Sequence, residues 1–328
     1  MTNAPPAPQR IVGPIQHYPW GDPLFIPGLL GIAPTDEPCA ELWLGTHPNG
    51  PATLADGTEL RTLTGDLPYL LKVLAAAEPL SLQAHPTPEQ AADGFRRGIY
   101  PDANSKPELL CALTEFEALC GVRPVDATLA LLDDIGATAL ADDLRAAGPG
   151  GVLDGLYRGR IDPTPTVAEC ATSRRPEAVW VQRLNERYPG DASVVATLLL
   201  NYVVLQPGEA IHLTAGNLHA YLHGAGIELM RASDNVVRGG LTNKTVDVDE
   251  LLRVVDPTPL AQPVMAESTA GSRYPLPEAG CTLVRLEPGQ AHTSSSDELA
   301  IGLDGTAWYV PAGATLTPAA STYIVIAS

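Results

Sequence analysis

The sequence predicts a mainly β protein with a helical segment in its middle. Short apolar runs alternate with turn signals over residues 11–86, and strand-like runs return from about Val194. Between them, residues 88–190 are rich in Ala, Leu, Glu and Arg with helical spacing. Regular short runs of the first kind are typical of a β-sandwich or barrel, whereas the middle pattern is typical of helices. The predicted order is therefore β, helical, β.

The first β part is predicted from its turns and from two apolar segments. Pro-Asn-Gly at 48–50 and Ala-Asp-Gly at 55–57 favour tight turns. Residues 67–75 are almost continuously apolar, which is typical of a buried strand, and residues 80–85 alternate between apolar and polar side chains. We expect this part to span residues 1–87, with room for further strands at 106–123.

The helical part begins with a start signal. Thr87 stands directly before Pro88, and Thr is a favoured N-cap while Pro is favoured in the first turn. Helical spacing then recurs at 88–97, 125–132, 138–147, 152–157 and 176–188. We expect residues 88–190 to form a mostly helical insertion.

The last part, residues 191–328, returns to the strand pattern. Residues 198–205 and 210–213 are apolar runs separated by Gln-Pro-Gly-Glu, which indicates two strands joined by a tight turn. Further apolar runs follow at 282–286, 307–310 and 322–327. We expect this part to form a C-terminal β domain.

The composition excludes several classes of protein. The chain of 328 residues has 20 Lys and Arg against 38 Asp and Glu, a formal charge of −18, and is poorly suited to neutralise nucleic-acid phosphates. No apolar run approaches the roughly 20 residues that span a bilayer, and the first ten residues lack a signal-peptide pattern. Five cysteines without a CxxC pair indicate buried free thiols. We expect a cytoplasmic monomer with no nucleic-acid or membrane partner.

Two short segments contain residues of the kind that bind divalent metals. Gln83 and His85 alternate in a strand-like stretch, so their side chains are expected on one face. Lys106 and Glu108 flank Pro107, which favours an extended backbone before it, so these two are also expected on one face. Each segment could contribute ligands to one ion.

A third segment contains His219 and His223, which have the spacing of a helical zinc pair. Gly216 and Gly224 argue against a helix there, and in a strand His219, Tyr221 and His223 would share a face. Histidines combined with Gln and Glu, and without a thiolate, suit a divalent metal such as zinc at an open site. On spacing alone, a structural or surface role for each histidine is the simpler alternative.

Residues 228–244 concentrate charge next to a pair of glycines. They include Glu228, Arg238 and Lys244. An isolated segment of this kind is usually a solvated loop. It could instead form an anion-binding, proton-moving surface opposite the metal, and these residues alone leave both interpretations open.

Taken together, the motifs resemble those of the type I mannose-6-phosphate isomerases, zinc enzymes of the cupin superfamily. The similarity covers nearly the whole chain. It is carried by Tyr-Pro-Trp-Gly at 18–21, Glu-Leu-Trp-Leu-Gly-Thr-His-Pro at 41–48, residues 67–74, Leu-Ser-Leu-Gln-Ala-His-Pro at 80–86, Lys-Pro-Glu at 106–108 and residues 201–251. Several long motifs in the same order would rarely arise by chance.

The resemblance implies a fold, a cofactor and a reaction. The fold has two cupin or jelly-roll-like β domains with an inserted α-helical domain. One Zn²⁺ per chain would be held by Gln83, His85, Glu108 and His219, whereas His223 falls where relatives often carry Gln and is not counted as a ligand. The implied reaction interconverts mannose 6-phosphate and fructose 6-phosphate through a cis-enediol, so the expected partner is a phosphosugar substrate.

The resemblance also implies roles within the pocket. Arg238 matches the family's active-site arginine, and Glu228 matches an acidic position that could act as the base. Lys106 and His47 complete the expected catalytic set, with His47 as an acid or base for ring opening. The residues expected to bind substrate are Ser81, Lys72, Tyr221, Asp234, Lys244 and Trp20.

The net charge places a requirement on the phosphate end of the pocket. A protein at −18 repels a dianionic sugar phosphate at long range, so local cations must reverse the sign in the cleft. Lys106, Arg238 and Lys244 are expected to do so. Ser81 and Lys72, together with Lys106, are expected to hold the phosphate through charge-assisted hydrogen bonds.

Two other functions remain open on the sequence. One is a metal-binding cupin that senses or binds a sugar phosphate without turnover, which the full ligand set with Arg238 and Lys244 argues against. The other is an isomerase with the same chemistry that acts on another phosphorylated substrate. Pro19 and Asn243 differ from the residues of many relatives, and the short segment between Pro86 and Lys106 could alter access to the cleft.

Overall fold

A computed structural model describes residues 6–265 and 272–328. Residues 266–271 lie outside the described part, as do residues 1–5, the first half of the N-terminal segment that lacks a signal-peptide pattern. The helices are α1 (Phe25–Leu30), α2 (Arg61–Thr64), α3 (Pro88–Arg96), α4 (Val125–Ile135), α5 (Thr138–Tyr157), α6 (Thr164–Cys170), α7 (Pro176–Arg187), α8 (Ala192–Ala196) and α9 (Val248–Val254). Short 3₁₀ helices cover Thr197–Leu199 and Pro277–Ala279.

The strands are distributed along the whole described chain. They are β1 (Gln9–Val12), β2 (Ile15–Gln16), β3 (Glu41–Leu44), β4 (Thr53–Leu54), β5 (Tyr69–Ala76), β6 (Leu82–Ala84), β7 (Glu108–Ala112), β8 (Phe116–Val122), β9 (Leu200–Leu205), β10 (Ala210–Leu213), β11 (His219–Arg231), β12 (Val237–Gly240), β13 (Arg273–Leu276), β14 (Cys281–Leu286), β15 (His292–Thr293), β16 (Glu298–Gly302), β17 (Ala307–Val310), β18 (Thr315–Leu316) and β19 (Thr322–Ala327). The prediction of a mainly β fold is confirmed.

These strands form two principal antiparallel sheets and one small ribbon. The large sheet has ten strands, with β10, β7, β11, β5, β3 and β2 in order and β6, β8, β9 and β12 attached through β11. The smaller sheet has seven strands in the order β13, β14, β19, β16, β17, β1 and β4, and β15 pairs with β18. Strands β1 and β4 therefore join the C-terminal strands in the smaller sheet, whereas β9 to β12 join the N-terminal strands in the large sheet.

Strand β11 organises the large sheet because it pairs with four other strands. Its first half pairs with β6 and β8, and its second half lies between β5 and β7. The change of partners occurs near Gly224, which has a φ of +117°. A Cβ atom there would lie 2.5 Å from the carbonyl oxygen of Glu115, so this crossing requires glycine.

The core follows from the alternation of side chains along the central strands. On β5, β7 and β11, Val73, Leu109 and Ile227 point toward the smaller sheet and pack against residues such as Leu283 and Tyr323. Successive residues of a strand point to opposite faces, so the residues beside them face the interior of the curved large sheet. Full burial of each such aliphatic side chain contributes about 1.5–3 kcal/mol.

Most predicted elements are present, with a few differences. Thr87 caps α3 as expected, in a capping box with Gln90, and strands do occur within 106–123. The helices expected at 138–147 and 152–157 are both present within α5, on either side of a kink with non-helical backbone at Gly148. The strand pattern expected from Val194 is wrong for its first residues, because α8 and a 3₁₀ turn precede β9.

The structure tests the prediction on the cysteines but not the predicted division of the chain. All five cysteines are buried free thiols, as predicted. The division into residues 1–87, 88–190 and 191–328 stays a prediction. Helices of the middle segment pack through Leu132 and Trp180 against residues of the large sheet such as Leu222.

Candidate functional site

The face of the large sheet that points away from the smaller sheet lines a cavity of about 980 Å³. Three of its charged side chains, Lys72, Glu108 and Glu228, come from the even-numbered positions of β5, β7 and β11. Their odd-numbered neighbours pack between the two sheets. The strand register that builds the core therefore also turns these three charges toward the cavity.

Three more functional side chains lie in one row across neighbouring strands. Gln83 of β6 is paired in register with His219 of β11 on one side and with Arg238 of β12 on the other. Residues directly opposite each other on antiparallel strands point to the same face, with Cβ atoms about 4.5–5.5 Å apart. The cross-strand pairing thus brings together residues that are far apart in the sequence.

His85, Glu108 and His219 form a compact buried group beside this row. One ligand atom from each lies within 4.8 Å of the others, and each residue is at most 1% exposed. The Nε2 atoms of His85 and His219 are 3.3 and 3.5 Å from the two carboxylate oxygens of Glu108. Gln83 completes the group, with its Nε2 3.3 Å from Nε2 of His219.

The two histidines are oriented by backbone carbonyls. Nδ1 of His85 donates to the carbonyl of Asn235 at 2.8 Å, and Nδ1 of His219 donates to that of Asn217 at 2.8 Å. Each ring therefore directs the lone pair of Nε2 into the group, as metal-binding histidines do. Nε2 of His85 and Oε2 of Glu108 are buried without a hydrogen-bond partner, and a divalent metal would satisfy both atoms.

The electrostatics of this group favour the protonation states that metal binding needs. Burial lowers the pKa of the His85 imidazole, so the ring is neutral near pH 7. Burial alone would raise the pKa of Glu108, but the Lys106 ammonium, 2.8 Å away, holds it well below its ordinary value. A neutral imidazole and an ionised carboxylate are both metal ligands.

A second buried network crosses the cavity wall from β3 to β11. Nζ of Lys72 lies 2.8 Å from Oε2 of Glu228 and 3.5 Å from Oε1 of Glu41. The Tyr221 hydroxyl donates to Oε1 of Glu228 at 3.0 Å, and Nε1 of Trp43 donates to Glu41 at 2.6 Å. Lys72 thus lies between two buried carboxylates and cannot move without leaving a charge unpaired.

The two carboxylates hold Lys72 charged while burial acts against ionisation of Glu228. Burial would lower the pKa of Lys72, but Glu228 and Glu41 raise it above its ordinary value. For Glu228, burial raises the pKa, Lys72 opposes this rise, and Glu108 and Glu41 add to it. Glu228 is therefore a carboxyl whose proton affinity is tuned by its neighbours.

The cavity also contains cations that are not neutralised. Among the described residues, no ion pair involves Arg238 or Lys244, although both line the cavity.

Nε2 of His47 lies 3.3 Å from Oδ1 of Asp234 at the same cavity. All predicted site residues line this cavity except His85 and His219, which are buried beneath it beside Glu108.

His223 does not belong to this site. The register shifts between Tyr221 and His223, and His223 is exposed whereas His219 and Tyr221 are buried. The expectation that all three share a face is therefore wrong, because a bulge beside Gly224 reverses the alternation. His223 lines a separate groove with Trp180.

Sequence reasoning missed two groups that support the site. Glu41 was part of a quoted motif, and its signal was a carboxylate at the start of an apolar strand. Asp102 accepts hydrogen bonds from the Ser233 hydroxyl and the Asp234 amide, both at 3.0 Å, and so fixes the loop that supplies the Asn235 carbonyl to His85. No local pattern marks Asp102, because its partners are distant in the sequence.

No helix in the described part of the chain has the length and apolar character needed to cross a membrane.

Residues 60–125 match the family model of the type I phosphomannose isomerase catalytic domain. That matched segment contains β5, β6 and β7, which carry Lys72, Gln83 and Glu108.

Curated relatives extend the similarity over most of the chain. Mannose-6-phosphate isomerase of Salmonella typhimurium is 32% identical and covers 82% of this chain and 81% of its own length. The Escherichia coli enzyme of the same name is 31% identical and covers 96% and 94%. The human one is 34% identical over 68% of this chain and 65% of its own length.

Solved structures with the same fold include two of mannose 6-phosphate isomerase. One, bound with zinc and yttrium, has a TM-score of 0.87 at 26% identity and covers 98% of this chain and all of its own. The other, an apo form from Salmonella typhimurium, has a TM-score of 0.88 at 27% identity and covers 98% and 99%. The similarity of fold therefore includes both sheets and the helical segment.

Proposed function

The chain belongs to the type I phosphomannose isomerase family, and we propose that it interconverts mannose 6-phosphate and fructose 6-phosphate. The observation that carries the proposal is the buried group of His85, Glu108 and His219 beside a cavity lined by Glu228 and the unpaired cation Arg238. An aldose–ketose isomerisation needs these parts together: a metal or cation beside the carbonyl, a base for a carbon-bound proton, and an anion site for the phosphate.

Zinc is the proposed cofactor, one ion per chain. Gln83, His85, Glu108 and His219 would hold it, because two imidazole nitrogens with oxygen donors and no thiolate suit zinc at a catalytic site. When bound, zinc supplies a Lewis acid for the carbonyl and enediol oxygens of the sugar. The unpartnered atoms of His85 and Glu108 support this assignment.

Glu228 is the proposed base for the carbon-bound proton. In the open-chain aldose, its carboxylate takes the proton from C2 and returns it to C1, while the O2 proton moves to O1, so that an aldehyde becomes a ketone through a cis-enediol. Lys72 favours the ionised form of Glu228 against the effect of burial, and Tyr221 orients its other oxygen. A raised pKa brings a carboxylate closer to the proton affinity that such a transfer needs.

His47 is the proposed acid or base for opening the sugar ring. Its Nε2 lies 3.3 Å from Oδ1 of Asp234, so the carboxylate can hold the ring in one orientation. The cavity of about 980 Å³ lies at the upper end of the range for small-molecule sites, which leaves room for the ring to open.

The phosphate end is proposed to be built from Arg238, Lys244 and Ser81. The sequence predicts Lys72 and Lys106 there as well, but each is paired with a buried carboxylate, so their charges are largely neutralised. Arg238 and Lys244 can therefore reverse the repulsion that a protein of charge −18 exerts on a sugar phosphate. Trp20 lines the same cavity and is proposed to contact the sugar.

The proposal is tested by coupled assay of fructose 6-phosphate formation from mannose 6-phosphate. As-purified, chelator-stripped and zinc-restored samples are compared, with zinc measured in each. Activity that disappears on stripping and returns with zinc supports both the reaction and the cofactor. Zinc-loaded protein without turnover of mannose 6-phosphate would contradict the proposal. Turnover of a different phosphosugar would then identify another substrate, whereas binding without any turnover would identify a sensor.

A further inference from the structure

The backbone that follows Arg238 adopts conformations that few residues tolerate. Gly240 has a φ of +125° and Leu241 a φ of +51°, and the pairing of β12 with β6 is irregular between Arg238 and Gly240. For a buried leucine, a left-handed backbone costs of order 1–2 kcal/mol. Such strain persists only where the surroundings hold the segment in place.

One restraint on this segment is Ser193 of α8. Its hydroxyl, which is fully buried, accepts a hydrogen bond from the Leu241 amide at 3.0 Å. Gly240 packs directly on the same side chain, since a Cβ at that position would lie 2.1 Å from Oγ of Ser193. Ser193 is itself fixed by the Asp191 cap of α8.

A second restraint is Tyr157, the last residue of α5. Its hydroxyl donates a hydrogen bond to the carbonyl oxygen of Gly239, the residue that follows Arg238. Gly239 also has close neighbours on the inner side, since a Cβ there would lie 3.1 Å from Leu218 and 3.4 Å from Leu251. Residues 239–241 are thus held by Tyr157 of the helical segment and by Ser193 of α8, which follows that segment in the chain.

We infer that Tyr157 and Ser193 are positioning residues for Arg238. No hydrogen bond or ion pair within the described part of the chain restrains the guanidinium of Arg238 itself. Its place at the cavity therefore depends on the backbone of β12, which these two side chains fix from outside the sheet. This inference rests on the proposed function and gives the helical insertion a part in the chemistry of a β-sheet site.

The first test is the substitution Tyr157→Phe, which removes one hydroxyl and little volume. We expect kcat/KM for mannose 6-phosphate to fall about tenfold, the equivalent of one hydrogen bond of roughly 1.4 kcal/mol, with zinc content unchanged. Tyr202→Phe is the matched control, because the Tyr202 hydroxyl bonds Glu117 away from β12. An equal loss in both variants would overturn the inference.

The second test repeats Tyr157→Phe in an Arg238→Ala background. If Tyr157 acts through Arg238, the second substitution has no further effect on kcat/KM, because there is no guanidinium left to position. A merely structural role predicts the same tenfold loss again, which would contradict the inference. Ser193→Ala, which leaves the Leu241 amide without its acceptor, should behave in the same way as Tyr157→Phe.

The third test is independent of turnover. In a crystal structure of the zinc-loaded Tyr157→Phe variant, we expect the Arg238 side chain to be displaced or spread over several conformers relative to the wild type. An unchanged, well-ordered Arg238 would overturn the inference even if activity falls. A wild-type protein without isomerase activity would contradict the proposed function, but this crystal structure would still decide the positioning role. It also decides that role if turnover of Arg238→Ala is too low to measure.

Discussion

The two sheets each bury a glutamate beside a histidine, yet only one of these pairs belongs to an open site. In the large sheet, Glu108 meets His85, which directly follows β6, and His219, the first residue of β11. Glu298 of the smaller sheet meets His292 of the β15–β18 ribbon, six positions earlier in the chain, with Oε2 of Glu298 2.6 Å from Nε2 of His292. Within the described ranges, only the first group has a third metal-binding side chain.

The difference lies in what the surrounding strands bring to each glutamate. The cavity face of the large sheet carries charged residues, among them Lys72 and Glu228, that other strands turn inward. The corresponding outer face of the smaller sheet is filled by an apolar cluster that includes Val284, Ala300 and Ile324. Oε1 of Glu298 is buried without a hydrogen-bond partner, as is Oε2 of Glu108, so what distinguishes the group in the large sheet is the convergence of a third ligand beside a polar cavity.

The largest expected effect comes from removing a convergent ligand. His219→Ala should lower both zinc content and kcat, the latter by about 10³-fold or more, because the remaining donors bind a divalent ion poorly. His223→Ala, four residues along β11, is the matched control and should keep both, since His223 is exposed outside the site. Zinc measured per chain together with initial rates tests the pair. Retention of full zinc by His219→Ala would show that the ion binds elsewhere.

A slightly smaller effect is expected from Arg238→Ala. Loss of the unpaired cation should reduce kcat/KM by about 10²–10³-fold, the usual consequence of removing a charge that stabilises a developing oxyanion or a phosphate. Zinc content should be unchanged, because Arg238 is not part of the buried ligand group. Steady-state kinetics and zinc analysis on the same preparation separate the two effects. Near-wild-type turnover would remove Arg238 from the mechanism.

Much of the fold could be predicted because periodicity is a local signal. The apolar stretch at 67–75 became β5 at Tyr69–Ala76, and the Thr87 start signal became α3. The exchange of strands between sheets could not be predicted, because the pairing of β1 with β17 depends on partners almost 300 residues apart. The apolar run from Val194 was misassigned, since burial on all sides suits a short helix as well as a strand.

The candidate site shows the same division. Family motifs identified Gln83 and Arg238, but only the strand register shows that they are direct neighbours on β6 and β12. The carboxylate at the start of β3 marks Glu41 but not its contact with Lys72, and the place of Asp102 depends on tertiary contacts that leave no pattern in the sequence. The bulge that turns His223 outward is likewise a property of two strands together.

An effect on pH dependence is expected from Lys72→Met, which removes a charge at similar volume. Lys72 lowers the pKa of Glu228 against the effect of burial, so its loss raises that pKa further. The base must be ionised to act, so the acid limb of the kcat/KM profile should move to higher pH. Activity lost near neutral pH should return at alkaline pH.

Lys244→Met is the matched control for this measurement. Lys244 lines the same cavity but, within the described part, forms no ion pair with a carboxylate. We expect it to raise KM without moving the acid limb. A profile that does not move in Lys72→Met would show that ionisation of Glu228 does not limit the reaction.

The smallest effect is expected in the smaller sheet, where the His292 pair should matter for stability alone. Burial raises the pKa of Glu298, and His292 opposes this rise, so His292→Ala raises the folded-state pKa further. A carboxyl whose pKa is raised on folding loses stability as the pH rises through that value. The free energy of unfolding should therefore fall by about 2 kcal/mol at pH 7 and by less at pH 4.5, measured by urea unfolding. Zinc content and turnover should not change. A loss of either would mean that the histidine–glutamate pair of the smaller sheet is coupled to the site in the large one.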